Sequence, residues 1–183
     1  MPGISQGLRK LSKVLDAMQI PHMLIGGNAL PAYGQIRATQ DLDLAIAAKY
    51  GDSVKLQKHL KQLGYQLPAE PDEKAPVFFV TDLENMMEIE LWTKPDGVTF
   101  DRELLRRRIK VRPFDDDFEI FVIGPEDFIV NKLARKDRGV QDEQDVASVL
   151  KLQKDKLDYA YLAKRAKAAN TVEILTTLMT KVT

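Results

Sequence analysis

The chain has 183 residues, with 27 Lys plus Arg against 27 Asp plus Glu, so its formal net charge is zero. That length fits one domain, or one domain with a small helical extension, and is enough to bury a hydrophobic core without staples. The balanced charge gives no global case for binding nucleic acid or a membrane surface; the lack of cysteine excludes disulfides and thiolate metal sites and fits a reducing compartment.

No apolar run approaches the roughly 20 residues of a membrane span. The N-terminal stretch spaces its apolar residues periodically, which is not the pattern of a signal peptide. A cytoplasmic protein without membrane contact is expected. Leu8, Leu11, Leu15 and Met18 fall on one helical face, predicting an amphipathic helix over residues 4–18 that ends before Pro21. His22-Met23-Leu24-Ile25 reads as a buried strand stopped by Gly26-Gly27, and residues 28–34 as a short helix closed by Gly34. Leu42, Leu44 and Ile46 alternate with Asp41, Asp43 and Ala45, the period of a strand with two different faces.

A second amphipathic helix carries Leu56, Leu60 and Leu63 and stops at Gly64. Val77–Thr81 and Met86–Trp92 read as a hairpin, Lys94-Pro95-Asp96-Gly97 as a turn, and residues 101–108 as a short charged helix. One more strand, Phe118–Ile123, follows the acidic run Asp115-Asp116-Asp117. Pro125, Glu126 and Asp127 then suit the start of a helix reaching Lys136, and three further helices cover about 142–153, 157–169 and 171–182. The expected fold is α+β: a mixed sheet of about four to five strands flanked by helices over residues 1–123, with a helical extension over 124–183 packed on it.

The chemistry concentrates in two places. Residues two apart on a strand share a face, so Asp41 and Asp43 project together while Leu42, Leu44 and Ile46 anchor the strand in the core. Adjacent carboxylates repel, and a hard divalent cation with oxygen ligands such as Mg²⁺ resolves the conflict. The Gly26-Gly27 turn lets backbone N–H groups approach a phosphate, and Asn28 adds a side-chain donor. A third carboxylate is expected from the later strand Met87–Trp92: Glu90, with Glu88 in reserve.

The order Gly-Gly, spacer, Asp-x-Asp and a later acidic strand resembles the nucleotidyltransferase superfamily that includes DNA polymerase beta. The strings Ile25–Leu30 and Arg37–Leu44 more narrowly resemble the minimal nucleotidyltransferases and the abortive-infection toxin nucleotidyltransferases. The resemblance implies the catalytic set Asp41, Asp43 and Glu90, holding two Mg²⁺ ions (Mn²⁺ as a substitute) and a nucleoside triphosphate. Two departures from it stand out: Gly-Gly replaces the frequent Gly-Ser, and the third acid is Glu where Asp is common.

Several residues carry two readings. Arg37 and Thr39 are either loop residues or phosphate contacts, and Lys132 either borders an apolar helix face or, as the resemblance suggests, reaches the triphosphate. Asp142 and Asp145 share a helix face and are expected to pair with Arg135 or Arg138. The cluster Arg102, Arg106, Arg107, Arg108, Lys110 and Arg112 is a solvated face or a patch that steers an RNA acceptor. Trp92 either packs in the core or stacks a base. Two functions follow: transfer of a nucleoside monophosphate to a hydroxyl on an RNA end, a protein side chain or a small molecule, or a catalytically degenerate binding module, such as the antitoxin of a toxin–antitoxin pair. An exposed apolar stripe on the last helix, around Leu175 and Met179, would favour a partner protein or a homodimer.

Overall fold

The computed structural model describes residues 2–37, 39, 41–113 and 117–182, so Asp115 and Asp116 of the acidic run lie outside the described residues, as do Ala38 and Gln40. Helix α1 (Pro2–Ala17) leads into strand β1 (His22–Leu24), the 3₁₀ segment Gly26–Tyr33 and strand β2 (Leu42–Ile46). Helix α2 (Tyr50–Gln62), strands β3 (Tyr65–Gln66), β4 (Val77–Asp82) and β5 (Met87–Trp92), helix α3 (Arg102–Arg107), and strands β6 (Ile109–Val111) and β7 (Ile120–Val122) complete the mixed part. Four helices end the chain: α4 (Pro125–Ala134), α5 (Val140–Leu152), α6 (Tyr159–Ala168) and α7 (Val172–Val182).

The strands form one seven-stranded sheet in the order β3-β4-β5-β2-β1-β7-β6. The expectation of four to five strands is corrected by β3 and β6. β3 is two residues long and pairs only through Tyr65–Asp82 and Gln66–Thr81, too short to show a period. β6 sits inside the basic cluster, where Ile109 and Val111 flank Lys110. β2 lies at the centre, parallel to β5 and antiparallel to β1, and β1 is parallel to β7.

The segment after Gly26 is 3₁₀ in place of a regular helix. Pro31 inside it has no N–H to donate, and Gly34 closes it at φ 92°. Leu63, expected on the inner face of α2, is its C-cap and is exposed, whereas Leu56 and Leu60 are fully buried. One hydrophobic cluster runs from Leu8 in α1 through Leu44, Ile89 and Phe128 to Leu178 in α7. The C-terminal helices meet the 3₁₀ segment at Tyr33, whose ring packs edge-on to Phe128 at 5.2 Å and whose hydroxyl donates to the Ile123 carbonyl. Leu175 is buried in that cluster and Met179 packs against it, so the stripe on α7 is used internally. Among the described residues no helix is long and apolar enough to cross a membrane.

Candidate active site

β2 places its functional side chain by alternation. Leu42, Leu44 and Ile46 are buried at 4, 0 and 0 % exposure, which turns Asp43 to the other face. β5 repeats the pattern with Met87, Ile89 and Leu91 inward. The parallel register sets Asp43 opposite Glu90, so two carboxylates share one face on adjacent strands. Trp92, two residues on, donates its indole N–H to Glu90 Oε2 at 3.0 Å and to Asp43 Oδ1 at 3.4 Å. Burial, then the Asp43 charge and a hydrogen bond with Asp43, push the Glu90 carboxyl up to about 7, against the opposing pull of the indole.

Asp41 is one residue ahead of β2 and exposed. Its carbonyl accepts from Asn28 Nδ2 at 2.6 Å and from Thr39 Oγ1 at 3.4 Å. Its charge reaches Glu90 as a lesser cause of the raised pKa. Extending the β2–β5 register by one residue sets exposed Glu88 level with Asp41. Among the described residues no three His, Cys, Asp or Glu side chains already converge in a metal-holding geometry. The ready-made unit is therefore the Asp43–Glu90 pair, which the Asp41 charge also reaches.

The glycines are fitted to these side chains. Gly26 has φ 62°, and a Cβ there would run into the Asp43 carboxylate. A Cβ on Gly27 would come within 2.6 Å of Arg37 Nη2 and 3.1 Å of Thr39 Cβ. Arg37 and Thr39 thus lie over Gly27, and only a residue without a side chain admits that approach.

Helices α4 and α5 bring cations and acids together beside these glycines. Lys132 is 4 % exposed and does not snorkel; its ammonium bonds Asp142 Oδ1 at 2.8 Å and lies 3.4 Å from Asp145 Oδ2. Asp145 is fully buried, with Arg37 Nε 3.5 Å from its Oδ1 and Gln141 Nε2 donating to the same oxygen at 3.0 Å. Arg37 Nε and Asp145 Oδ2 are buried without a hydrogen bond, so this meeting of charges is not fully satisfied. Asp142 and Asp145 were expected to pair with Arg135 or Arg138. Their main partners are Lys132 and Arg37, and Arg135 keeps only a 3.9 Å contact with Asp142 while bonding Asp137. A cavity of about 30 Å³ joins Gly26, Asp43, Trp92, Asn131, Lys132 and Arg135.

Sequence reasoning missed Arg135 and Asn131 as parts of this site. Asn131 donates to the Asp96 carbonyl at 2.8 Å and fixes the Pro95–Gly97 turn beside the cavity. The only signal available was helical spacing from Lys132, which does not say what α4 faces. The basic cluster is partly paired within the fold, and Arg102, Arg106, Lys110 and Arg112 are exposed. Arg107 bonds Asp158, Arg108 donates to the His22 carbonyl and stacks on Phe121, and Lys110 and Arg112 share Glu119.

A family model described as "Nucleotidyltransferase of unknown function (DUF6036)" matches residues 2–180. The chain belongs to that family. The α+β fold with its mixed sheet is that of the nucleotidyltransferase superfamily. Among solved structures, an antigenic nucleotidyltransferase-like protein from Paracoccidioides brasiliensis is similar at TM-score 0.55 and 15 % identity, covering 98 % of this chain and 93 % of that one. The antibiotic-resistance factor ANT(2'')-Ia is similar at TM-score 0.53 and 14 % identity, over 93 and 92 % of the two chains. The lincosamide antibiotic adenylyltransferase LnuA, in its lincomycin-bound form, is similar at 0.51 and 14 %, over 80 and 96 %. At these identities the likeness is one of fold. No curated protein matches the sequence.

Proposed function

We propose that this family member transfers a nucleoside monophosphate from a nucleoside triphosphate to a hydroxyl acceptor, using a divalent cation held by Asp43 and Glu90 with Asp41 completing the set. The observation that supports this most is the side-by-side placement of Asp43 and Glu90 with a carboxyl raised to about 7. Two acids on adjacent strands that resist joint ionisation are the donor set a hard cation such as Mg²⁺ or Mn²⁺ satisfies. When bound, the cation would neutralise charge on the triphosphate and at the reacting oxygens.

The remaining roles fall to the chain itself. The acceptor oxygen attacks the α-phosphorus, a new O–P bond forms, the bond to the β-phosphate oxygen breaks, and pyrophosphate leaves. Glu90 Oε2, held by the Trp92 indole, would complete the cation's donor set beside Asp43, and the acceptor's proton passes to solvent. Gly26 and Gly27 give the phosphates close backbone access, Lys132 and Arg135 line the cavity beside Asp43, and Arg37 lies over Gly27. Asn28 and Thr39 act on Asp41 through its carbonyl and set the entry to β2.

A second reading rests on one observation: Asp142 and Asp145 already engage Lys132 and Arg37. Cations already committed to acids fit a degenerate, antitoxin-like binding module. Incubation with Mg²⁺ and nucleoside triphosphates labelled at the α-phosphorus, with RNA, protein and small-molecule fractions as acceptors, separates the two. Transfer that is lost in Asp43→Asn supports the enzyme; transfer that persists in Asp43→Asn removes this site.

A further inference from the structure

Among the described residues one donor serves both acids of the pair. The Trp92 indole N–H reaches Glu90 Oε2 at 3.0 Å and Asp43 Oδ1 at 3.4 Å. The strand register shows how a single ring does this. Trp92 and Glu90 stand two apart on β5 and share a face. Directly beside Trp92 on β2 is Ala45, whose lone methyl group leaves the ring room to lean toward its diagonal neighbour Asp43. Val77 of β4 stands opposite Trp92 on the other flank. The ring also lines the cavity shared by Gly26, Pro95 and Lys132 and packs against the hydrophobic cluster, so its packing aims the N–H.

This arrangement bears on the longer of the two acids. Glutamate has one more rotatable bond than aspartate, and that freedom must be lost before its carboxylate can hold a ligand in one place. Asp43 is short, and its Oδ2 is already confined against Gly26. Glu90 has no such wall. Apart from Asp43 itself, Trp92 is the hydrogen-bond partner that the described residues offer it.

We propose that Trp92 is a positioning residue whose N–H clamps Glu90 to Asp43, so that both carboxylates stand side by side before a cation arrives. The inference rests on the cation reading given above. It assigns the ring a role that is neither core filling nor base stacking. The clamp acts through the N–H and not through the bulk of the ring. Donors that orient metal ligands in this way are worth about 10–100-fold in metal affinity.

The chain has one tryptophan, so a tryptophan analogue fed during expression changes this position alone. Benzothienylalanine puts sulfur in place of the N–H and keeps the ring shape; 5-fluorotryptophan keeps the N–H. Titration calorimetry of the full chain with Mn²⁺ should give natural affinity with 5-fluorotryptophan and affinity at least about ten-fold weaker with benzothienylalanine. In the metal-free chain the single indole N–H resonance, labelled with nitrogen-15, should move in both Asp43→Asn and Glu90→Gln. A resonance that moves in neither variant, or an equal loss of affinity with both analogues, would overturn the clamp. Mn²⁺ binding lost in Asp43→Asn but kept with benzothienylalanine would overturn the clamp and leave the cation reading standing. A natural chain that binds no Mn²⁺ would overturn both.

Discussion

At Gly26 the backbone takes φ 62°, and a methyl group there would overlap the carboxylate of Asp43. Gly26→Ala therefore combines a left-handed alanine with a clash and is expected to cost about 1–3 kcal/mol in urea unfolding, with weaker binding of Mg·ATP. Glu90 carries the other residue-scale consequence. Its folded pKa of about 7 lies above its ordinary 4.5, so the folded chain holds a proton there that the unfolded chain releases. That contribution to stability is full below 4.5 and lost as pH rises through 7. A cation that displaces the proton reverses the trend. The melting-temperature gain from added Mg²⁺ is expected to be larger at pH 8 than at pH 5.5, and binding near pH 6 should release close to one proton. A gain independent of pH would separate Glu90 from the cation. Asp43 and Glu90 were legible because each stands between buried residues of a period-2 strand. Their adjacency was not, because no residue pattern states which strand lies beside β2.

Helices α4 and α5 act as one charged element. Asp145 is the shared buried anion for Arg37 and Lys132, while Asp142 keeps a second hold on Lys132. Asp145→Ala is expected to cost about 1–3 kcal/mol, less than an unshared buried pair, and to weaken nucleotide binding. Unchanged stability and binding would show that the cations position themselves. A second tie joins α6 to the N-terminus of α3: Arg165 grips Asp101 through two 2.7 Å bonds, and that grip holds the Asp101 carboxyl down at about 2. Its stabilisation is present above about 3.8 and lost as pH falls toward 2. Asp101→Asn should flatten the acid limb of the stability profile in that window. The helices themselves were legible from apolar spacing, with α5 starting at Val140 instead of about 142. The burial of Lys132 was not, because it depends on anions ten and thirteen residues away that only the packing of α5 brings back.

For the whole molecule, the sheet and the C-terminal helices share one hydrophobic cluster, and α4 brings Asn131, Lys132 and Arg135 to the cavity beside Asp43. Unfolding is expected in a single cooperative transition, and a chain ending at Ile123 should not fold, since Tyr33 would lose Phe128 and the Gln153 bond to its carbonyl. Two separate transitions would contradict that. The α+β class and the position of the Gly-Gly/Asp-x-Asp unit could be read from sequence because strong local periods surround them. The full sheet could not, since β3 and β6 owe their existence to partner strands and not to their own two or three residues. The central claim is that Asp43 and Glu90, beside Gly26, hold a cation and a triphosphate. Titration calorimetry of the full chain with a non-hydrolysable ATP analogue, with and without Mg²⁺, tests it most directly. Magnesium-dependent binding that falls at least about ten-fold in both Asp43→Asn and Glu90→Gln is predicted; binding that ignores magnesium, or survives both substitutions, would contradict it.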